Sequence, residues 1–544
     1  MEPVVPVDPV AWKPLARFLR IPPFPGAGPR AFSSSADATV TKDLIDLVAR
    51  LRVGGSYWAA QPQLPNDYVL VRGLALPILD TGIQPIVFWT DVAPTTPPDG
   101  ALVVSGDCDP WHMLERASMY VTSIADELCL IALIVGVPVR LVDAKTGRIE
   151  PLDARPADLL SHSLFETYDN PFNGGPMSAS EAVELCGFWR SLIDSNRDIG
   201  GALGFAFWKQ GHVAPLLWGG QRISPFVRSA REVEVGKAVA IWRAKTSADE
   251  LAWVREWGVR VVEVEDGFLR SRGLGADCVP PLSITADRFG AHFDPAQQSE
   301  LELLLQDGAF DEEMLGRAQR LRKLIVDAGL AKYESGNGTV PDRPAGKRRH
   351  ILVPGQVEDD RAVQMGGCGL ASNIDLLAKV RAQAPDAYIL YKPHPDVVAG
   401  HRRGVVQYRQ CLEYADQIAT DQPISSLIDM VDEVHVNTSL AGFEALLRNK
   451  PVTTHGVPFY AGWGLTRDLG PVPVRRNRRR TIDELVAGAL LIYPRYLDPV
   501  TGLPCPAEVI VDRLSSNGDR QPGPLVIIRR LQGKVMRGLR GLIQ

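Results

Sequence analysis

Short apolar runs recur along this chain, and each ends in polar or turn-forming residues before a helix-length stretch begins. Between positions 42 and 160 they are "YVLVRG", "PIVFWTD", "ALVVSG", "MYVTS" and "VPVRLVD". Between 350 and 470 they are "HILVPGQ", "AYILYKPHP", "EVHVNTS" and "KPVTTHG". A strand covered by helices on both faces has no polar side, so it reads as a continuous apolar run and not as an alternation. This pattern restricts the chain to α/β folds built on parallel sheets.

At 544 residues the chain exceeds one hydrophobic core, because single cores stop growing near about 250–300 residues. Residues 1–40, rich in Pro, Ala and Ser, read as a poorly ordered lead-in, and 41–180 as a partial α/β unit. Residues 181–333 form a first full Rossmann-like domain, with "LGFAFWK", "AVAIWRAK" and "VRVVEVEDG" as strands. Its closing helix, "DEEMLGRAQRLRKLIVDAGLAKY", sets Met314, Ala318, Leu321, Ile325 and Ala328 on one face. Gly, Pro and charge without apolar period make 334–349 a linker, and 350–515 a second Rossmann-like domain. In that domain Ser372 or Asn373 caps the helix "NIDLLAKVRAQ". A weak internal repeat links "TSIADELCLIALIVGVPV" (122–139) to "TSLAGFEALLRNKPV" (438–452), so 41–180 resembles a decayed copy of a later unit. Two such domains place a cleft at the C-terminal ends of their strands, where ligands of open α/β sheets bind.

Four motifs fall at those strand ends. In "VEVEDG", Glu265 and Asp266 suit acid–base work, or hold a cation or sugar hydroxyls; the plain alternative is a turn. In "GQVEDD", Gln356, Asp359 and Asp360 follow a strand, and a carboxylate there can attack an anomeric carbon; the alternative is a solvated acidic loop. In "YKPHPD", two prolines fix the backbone around Lys392 and His394, a pair suited to phosphate. In "NTSLAGFE", Ser439 and Glu444 open a helix whose N–H groups can meet phosphate and ribose; Ser439 is equally a plain N-cap. The Asn437 sequon is discounted as a strand-end segment.

A net charge of −5 gives no overall attraction to nucleic acid. Neither basic run, "RRNRRR" (475–480) nor 524–544, interleaves the aromatics that single-stranded nucleic acid needs. The second run, within the tail 516–544, reads as an amphipathic helix for an anionic membrane surface, or as a solvated tail. The seven cysteines have no C-x-x-C spacing, which suits a reducing cytoplasm. No secretory signal and no spanning helix are expected.

The ordered set "VEDGFLRSRGLGAD", "VPPLS", "LVPGQVEDD", "YKPHPDVVAG", "TSLAGFEALLRNKPVTTHGVPFYAGWGLT" and "YPRYLDPVTGLPCPAE" resembles the bacterial capsule polysaccharide synthesis family, KpsC/LipB type, over about 185–515. Its nearest likeness is to the second module of the two-module β-Kdo transferases. The resemblance implies a GT-B-like pair of Rossmann domains and retaining transfer of Kdo from CMP-Kdo to a lipid-linked Kdo acceptor. It implies no metal or other cofactor, and a cytoplasmic site peripheral to the inner membrane, among other capsule synthesis and export proteins. It casts 181–333 as the acceptor side and 350–515 as the CMP-sugar side. It makes Asp360 the nucleophile, with Asp359 as the alternative position. Glu265 and Asp266 face the acceptor, and Lys392, His394, Ser439 and Glu444 hold CMP. Arg270 meets the Kdo carboxylate. Residues 1–180 lack "EDG", "KPHP" and "GQxxxD" motifs, so a single active centre is expected. A CMP-sugar hydrolase or epimerase, and a non-catalytic assembly or export partner, are the alternative readings.

Overall fold

The computed structural model describes residues 18–28, 30–37, 39–72, 85–92, 100–123, 126–143, 148–161, 163–220, 225–269, 279–330, 343, 348–400 and 402–516. Most of the 334–349 linker, residues 1–17, 29 and 38 of the 1–40 lead-in, and nearly all of the 516–544 tail lie outside them. The chain divides into two compact units, residues 1–198 with 217–224, and residues 199–216 with 225–544.

The first unit carries a six-stranded sheet. Its five expected strands are present and parallel: Tyr68–Arg72, Ile86–Thr90, Ala101–Ser105, Ala117–Thr122 and Val139–Val142. Ile149–Pro151 adds an antiparallel edge. The boundary expected at 180 is displaced to 198. Helix Ala179–Asp194 starts there, and its face of Ala182, Val183, Cys186, Trp189 and Ile193 is buried within the first unit. Trp189 packs against Phe24 and Phe32, so this helix belongs to the core before it.

The second unit contains two sheets. One is wholly parallel and runs in the order Gln417–Ile418, Tyr388–Lys392, His350–Pro354, Glu433–Val436, Val452–Thr454, Arg467–Asp468. Counted along the chain, its first five strands lie third-second-first-fourth-fifth. The five parallel strands of the first unit lie in the same order. The weak repeat therefore corresponds to equivalent strand–helix–strand pieces, 117–142 and 433–454. Ser372, and not Asn373, caps the helix Asn373–Gln383.

The other sheet of the second unit begins with parallel strands Ile199–Leu203, Ala238–Ile241 and Val261–Asp266. The strand expected at 203–209 lies earlier, and Phe207–Val213 is a helix. Ser283–Asp287 pairs antiparallel to Val261–Asp266. Pro494–Leu497 and Pro504–Cys505 then complete this sheet. The assignment of all of 350–515 to the second domain is thus corrected, because its last strands and helices return to the first. Helix Glu312–Asp327 receives them, burying Ala318, Leu321 and Ile325 and pairing Arg322 with Asp483 and Arg317 with Glu508.

Three of the five arginines of "RRNRRR" serve the interior, while Arg478 and Arg479 are exposed. Arg475 and Arg476 both pair with buried Glu302, and Arg480 donates to the Leu305 and Gly308 carbonyls. Cys108, Cys129, Cys186, Cys368, Cys411 and Cys505 are free thiols.

Candidate active site

A cleft of about 960 Å³ opens at the C-terminal strand ends of the two sheets of the second unit, ample for a nucleotide sugar. Its lining includes nine of the ten residues singled out from sequence: Glu265, Asp266, Gln356, Asp359, Asp360, Lys392, His394, Ser439 and Glu444. The tenth, Arg270, lies outside the described residues.

Glu265 and Asp266 end the Val261–Asp266 strand. Their environments differ. Asp266 lies 3.2 Å from Lys209 Nζ, and that ammonium sits 3.4 Å from the centre of the Trp242 ring. Glu265 accepts from Arg361 Nη1 at 2.5 Å. Arg361 also reaches buried Glu263 through Nη2 at 2.7 Å. Burial pushes the Glu265 carboxyl up to about 7; Arg361 pulls against it, and the charges of Glu263, Asp266 and Asp360 push with it. One acid of the pair is thus held near neutrality while its neighbour has an ammonium partner. Below them, Phe268 stacks on Phe459 at 4.5 Å and meets His292 edge-on, which gives this wall an apolar floor.

The opposite wall grows from the His350–Pro354 strand. Gly355 follows it, and a Cβ there would stand 2.6 Å from the Tyr391 hydroxyl, so glycine lets the chain pass this close to that ring. Gln356 is fixed at several atoms. Its amide nitrogen donates to Thr438 Oγ1 at 2.9 Å, its amide oxygen accepts from Thr438 N, and its backbone N–H donates to Asn373. Glu358 turns away to accept from Asn373 N. Asp360 caps the short helix Arg361–Gly366 by accepting from Ala362 N at 3.0 Å. Asp359 meets Arg402, whose Nη2 also comes within 3.9 Å of Asp360.

Lys392 ends the Tyr388–Lys392 strand, buried, and its ammonium donates to the Thr420 carbonyl at 2.7 Å. His394 caps the turn Pro395–Val398, and its Nδ1 accepts from Asp396 N. A neutral His394 therefore carries its proton on Nε2. Ser439 is the N-cap of helix Leu440–Leu447, as the plain capping reading has it, and it also lines the cleft. Gly442 lets that helix close on Tyr460, whose hydroxyl would be 2.3 Å from an added Cβ. Asn437 is buried and donates to the Leu370 carbonyl, as befits a strand-end residue.

Sequence reasoning missed Lys209, Trp242, Arg361 and Arg402. Arg361 directly follows the acidic run and Arg402 lies eight residues past His394, so both stand beside recognised motifs. Lys209 was hidden because its helix was read as a strand.

Residues 237–496 match the model of a family described as "Capsule polysaccharide biosynthesis protein". The chain is 38% identical over 369 residues to the "Capsule polysaccharide modification protein LipA" of Neisseria meningitidis serogroup A, covering 66% of this chain and 51% of that protein. It is 40% identical over 284 residues to the "Lipopolysaccharide-processing protein LpsZ" of Rhizobium meliloti, covering 52% of this chain and 59% of that one. The chain thus spans between 51% and 59% of the length of these relatives. A solved structure titled "Thermosulfurimonas dismutans KpsC, beta Kdo 2,4 transferase" shares 31% identity at a TM-score of 0.51, over 58% of this chain and 98% of that one.

Proposed function

This chain belongs to the capsule polysaccharide biosynthesis protein family, and on that premise we propose that it is a retaining glycosyltransferase that moves Kdo from CMP-Kdo to a lipid-linked Kdo acceptor. The observation that carries the reading is the cleft itself. It sets an acid pair on one wall against a carboxylate, a lysine and a histidine on the other.

In this mechanism an Asp360 carboxylate oxygen attacks C2 of Kdo. The bond from C2 to the phosphate oxygen breaks, and CMP leaves with the electron pair. Lys392 and His394 neutralise the charge that develops on the departing phosphate. The acceptor hydroxyl then attacks C2 from the face that CMP vacated, loses its proton to Glu265 and releases Asp360. Two inversions give net retention. Lys209 pairs with Asp266 beside the acceptor, and Ser439 and Glu444 take the ribose–phosphate end of CMP. Charge neutralisation rests on side chains in this scheme, so no metal is required.

The same reading places the protein at the cytoplasmic face of the inner membrane, held there by the basic tail 516–544 and in company with other capsule synthesis and export proteins. No helix among the described residues is long and apolar enough to cross a membrane. The experiment is transfer from CMP-Kdo to a synthetic Kdo-primed lipid, with the product's anomeric configuration read by NMR. A β-linked product supports the reading. Release of free sugar at the same rate with or without acceptor would replace it with a hydrolase.

A further inference from the structure

We propose that Arg402 grips the carboxylate that a ulosonic acid carries on its anomeric carbon, and so selects such acids over ordinary sugars at this cleft. The proposal rests on the reading of Asp360 as nucleophile. Arg402 lines the cleft and is 38% exposed. Its Nε and Nη2 both lie 3.3 Å from Asp359 Oδ1, and Nη2 lies 3.9 Å from Asp360 Oδ2. These contacts are long for a guanidinium–carboxylate pair, whose good geometry is bidentate and near about 2.7–2.9 Å. Two other cleft cations are committed. Arg361 is pinned at 2.5 Å and 2.7 Å between Glu265 and Glu263, over the Phe293 ring. Lys209 is held between Asp266 and Trp242.

The chemistry requires a cation at this place. A ulosonic acid bears its carboxylate directly on the carbon that the nucleophile attacks. The Asp360 carboxylate must therefore approach a second negative charge at close range, in a cleft where water screens it less. A guanidinium presents donors along more than one edge, so it can hold the donor's carboxylate and stay beside Asp360. An aldose donor has hydrogen where the carboxylate would be, and leaves Arg402 with nothing to hold.

The test compares CMP-Kdo with its uncharged carboxamide analogue, on the full chain and on Arg402→Gln, Arg402→Lys and Arg270→Gln. For Arg402→Gln, kcat/KM with CMP-Kdo should fall on the order of 30-fold, the loss expected for a charge-assisted pair. With the carboxamide it should change less than about threefold, so discrimination between the donors collapses; Arg402→Lys should restore part of it. An equal fall with both donors marks a structural role and overturns the proposal. So does unchanged discrimination, or a collapse produced by Arg270→Gln and not by Arg402→Gln. A wild-type chain that leaves CMP-Kdo intact overturns the underlying reading, and this proposal with it.

Discussion

Arg361 directly follows Asp360 in the chain and donates to Glu265 across the cleft at 2.5 Å. One side chain thus ties the loop of the proposed nucleophile to the strand that carries the proposed base. Replacing it should misplace both. For Arg361→Met we expect kcat to fall about 100-fold, the scale of a small misplacement of reacting groups, with CMP binding little changed. Arg361 also pulls the Glu265 carboxyl down, so its loss should move the pH profile to higher pH. A stopped-rate assay across pH, with CMP affinity from calorimetry, checks both effects.

Glu265 predicts a pH dependence of its own. As a base it must be ionised, so the rate should rise with pH through about 7, and Glu265→Gln should lose that limb. Stability runs the other way. The folded-state carboxyl sits above its ordinary value of 4.5, so its contribution is fully present below 4.5 and lost as pH rises through about 7. Glu265→Gln should therefore melt above wild type at pH 8, with the gap narrowing toward pH 5, measured by differential scanning calorimetry.

Lys392 and His394 are assigned to the departing phosphate. Lys392→Ala and His394→Ala should each lower kcat by about 100- to 1,000-fold, as loss of one preorganised charge-stabilising donor does. Chelation with EDTA should leave the wild-type rate unchanged. An EDTA-sensitive rate restored by a divalent cation would move charge neutralisation from these side chains to a metal.

Glu302 tests the fold and leaves the cleft untouched. It is 3% exposed and accepts from Arg475 and Arg476, from a segment 173 residues further on. Glu302→Gln leaves buried Arg476 without its counter-charge, and should cost about 3–5 kcal/mol. Denaturant unfolding measures this, and a loss below 1 kcal/mol would show the pair to be dispensable.

The sheets were legible because strands buried on both faces cannot hide. "YVLVRG" and "AYILYKPHP" are apolar wherever a helix covers them, and the chain's parallel order follows from that. The motif residues were legible because they sit where such strands end. The return of 494–505 to the sheet of Val261–Asp266 was not, since antiparallel pairing across more than 200 residues leaves no local pattern. The roles of Lys209 and Arg361 were equally hidden. Each is an ordinary basic residue in sequence, and only the fold sets it against Asp266 or Glu265. The basic run at 475–480 misled in the other sense, because Arg475, Arg476 and Arg480 face Glu302 and backbone carbonyls in the interior.

The account stands most directly on a covalent intermediate. Wild type and Glu265→Gln should be incubated with CMP-Kdo without acceptor, and their intact masses measured, followed by peptide mapping. The account predicts a single Kdo adduct, enriched in Glu265→Gln, carried on the peptide with Asp360 and absent from Asp360→Ala. Normal turnover by Asp360→Ala, or an adduct mapped to Asp359, would contradict it.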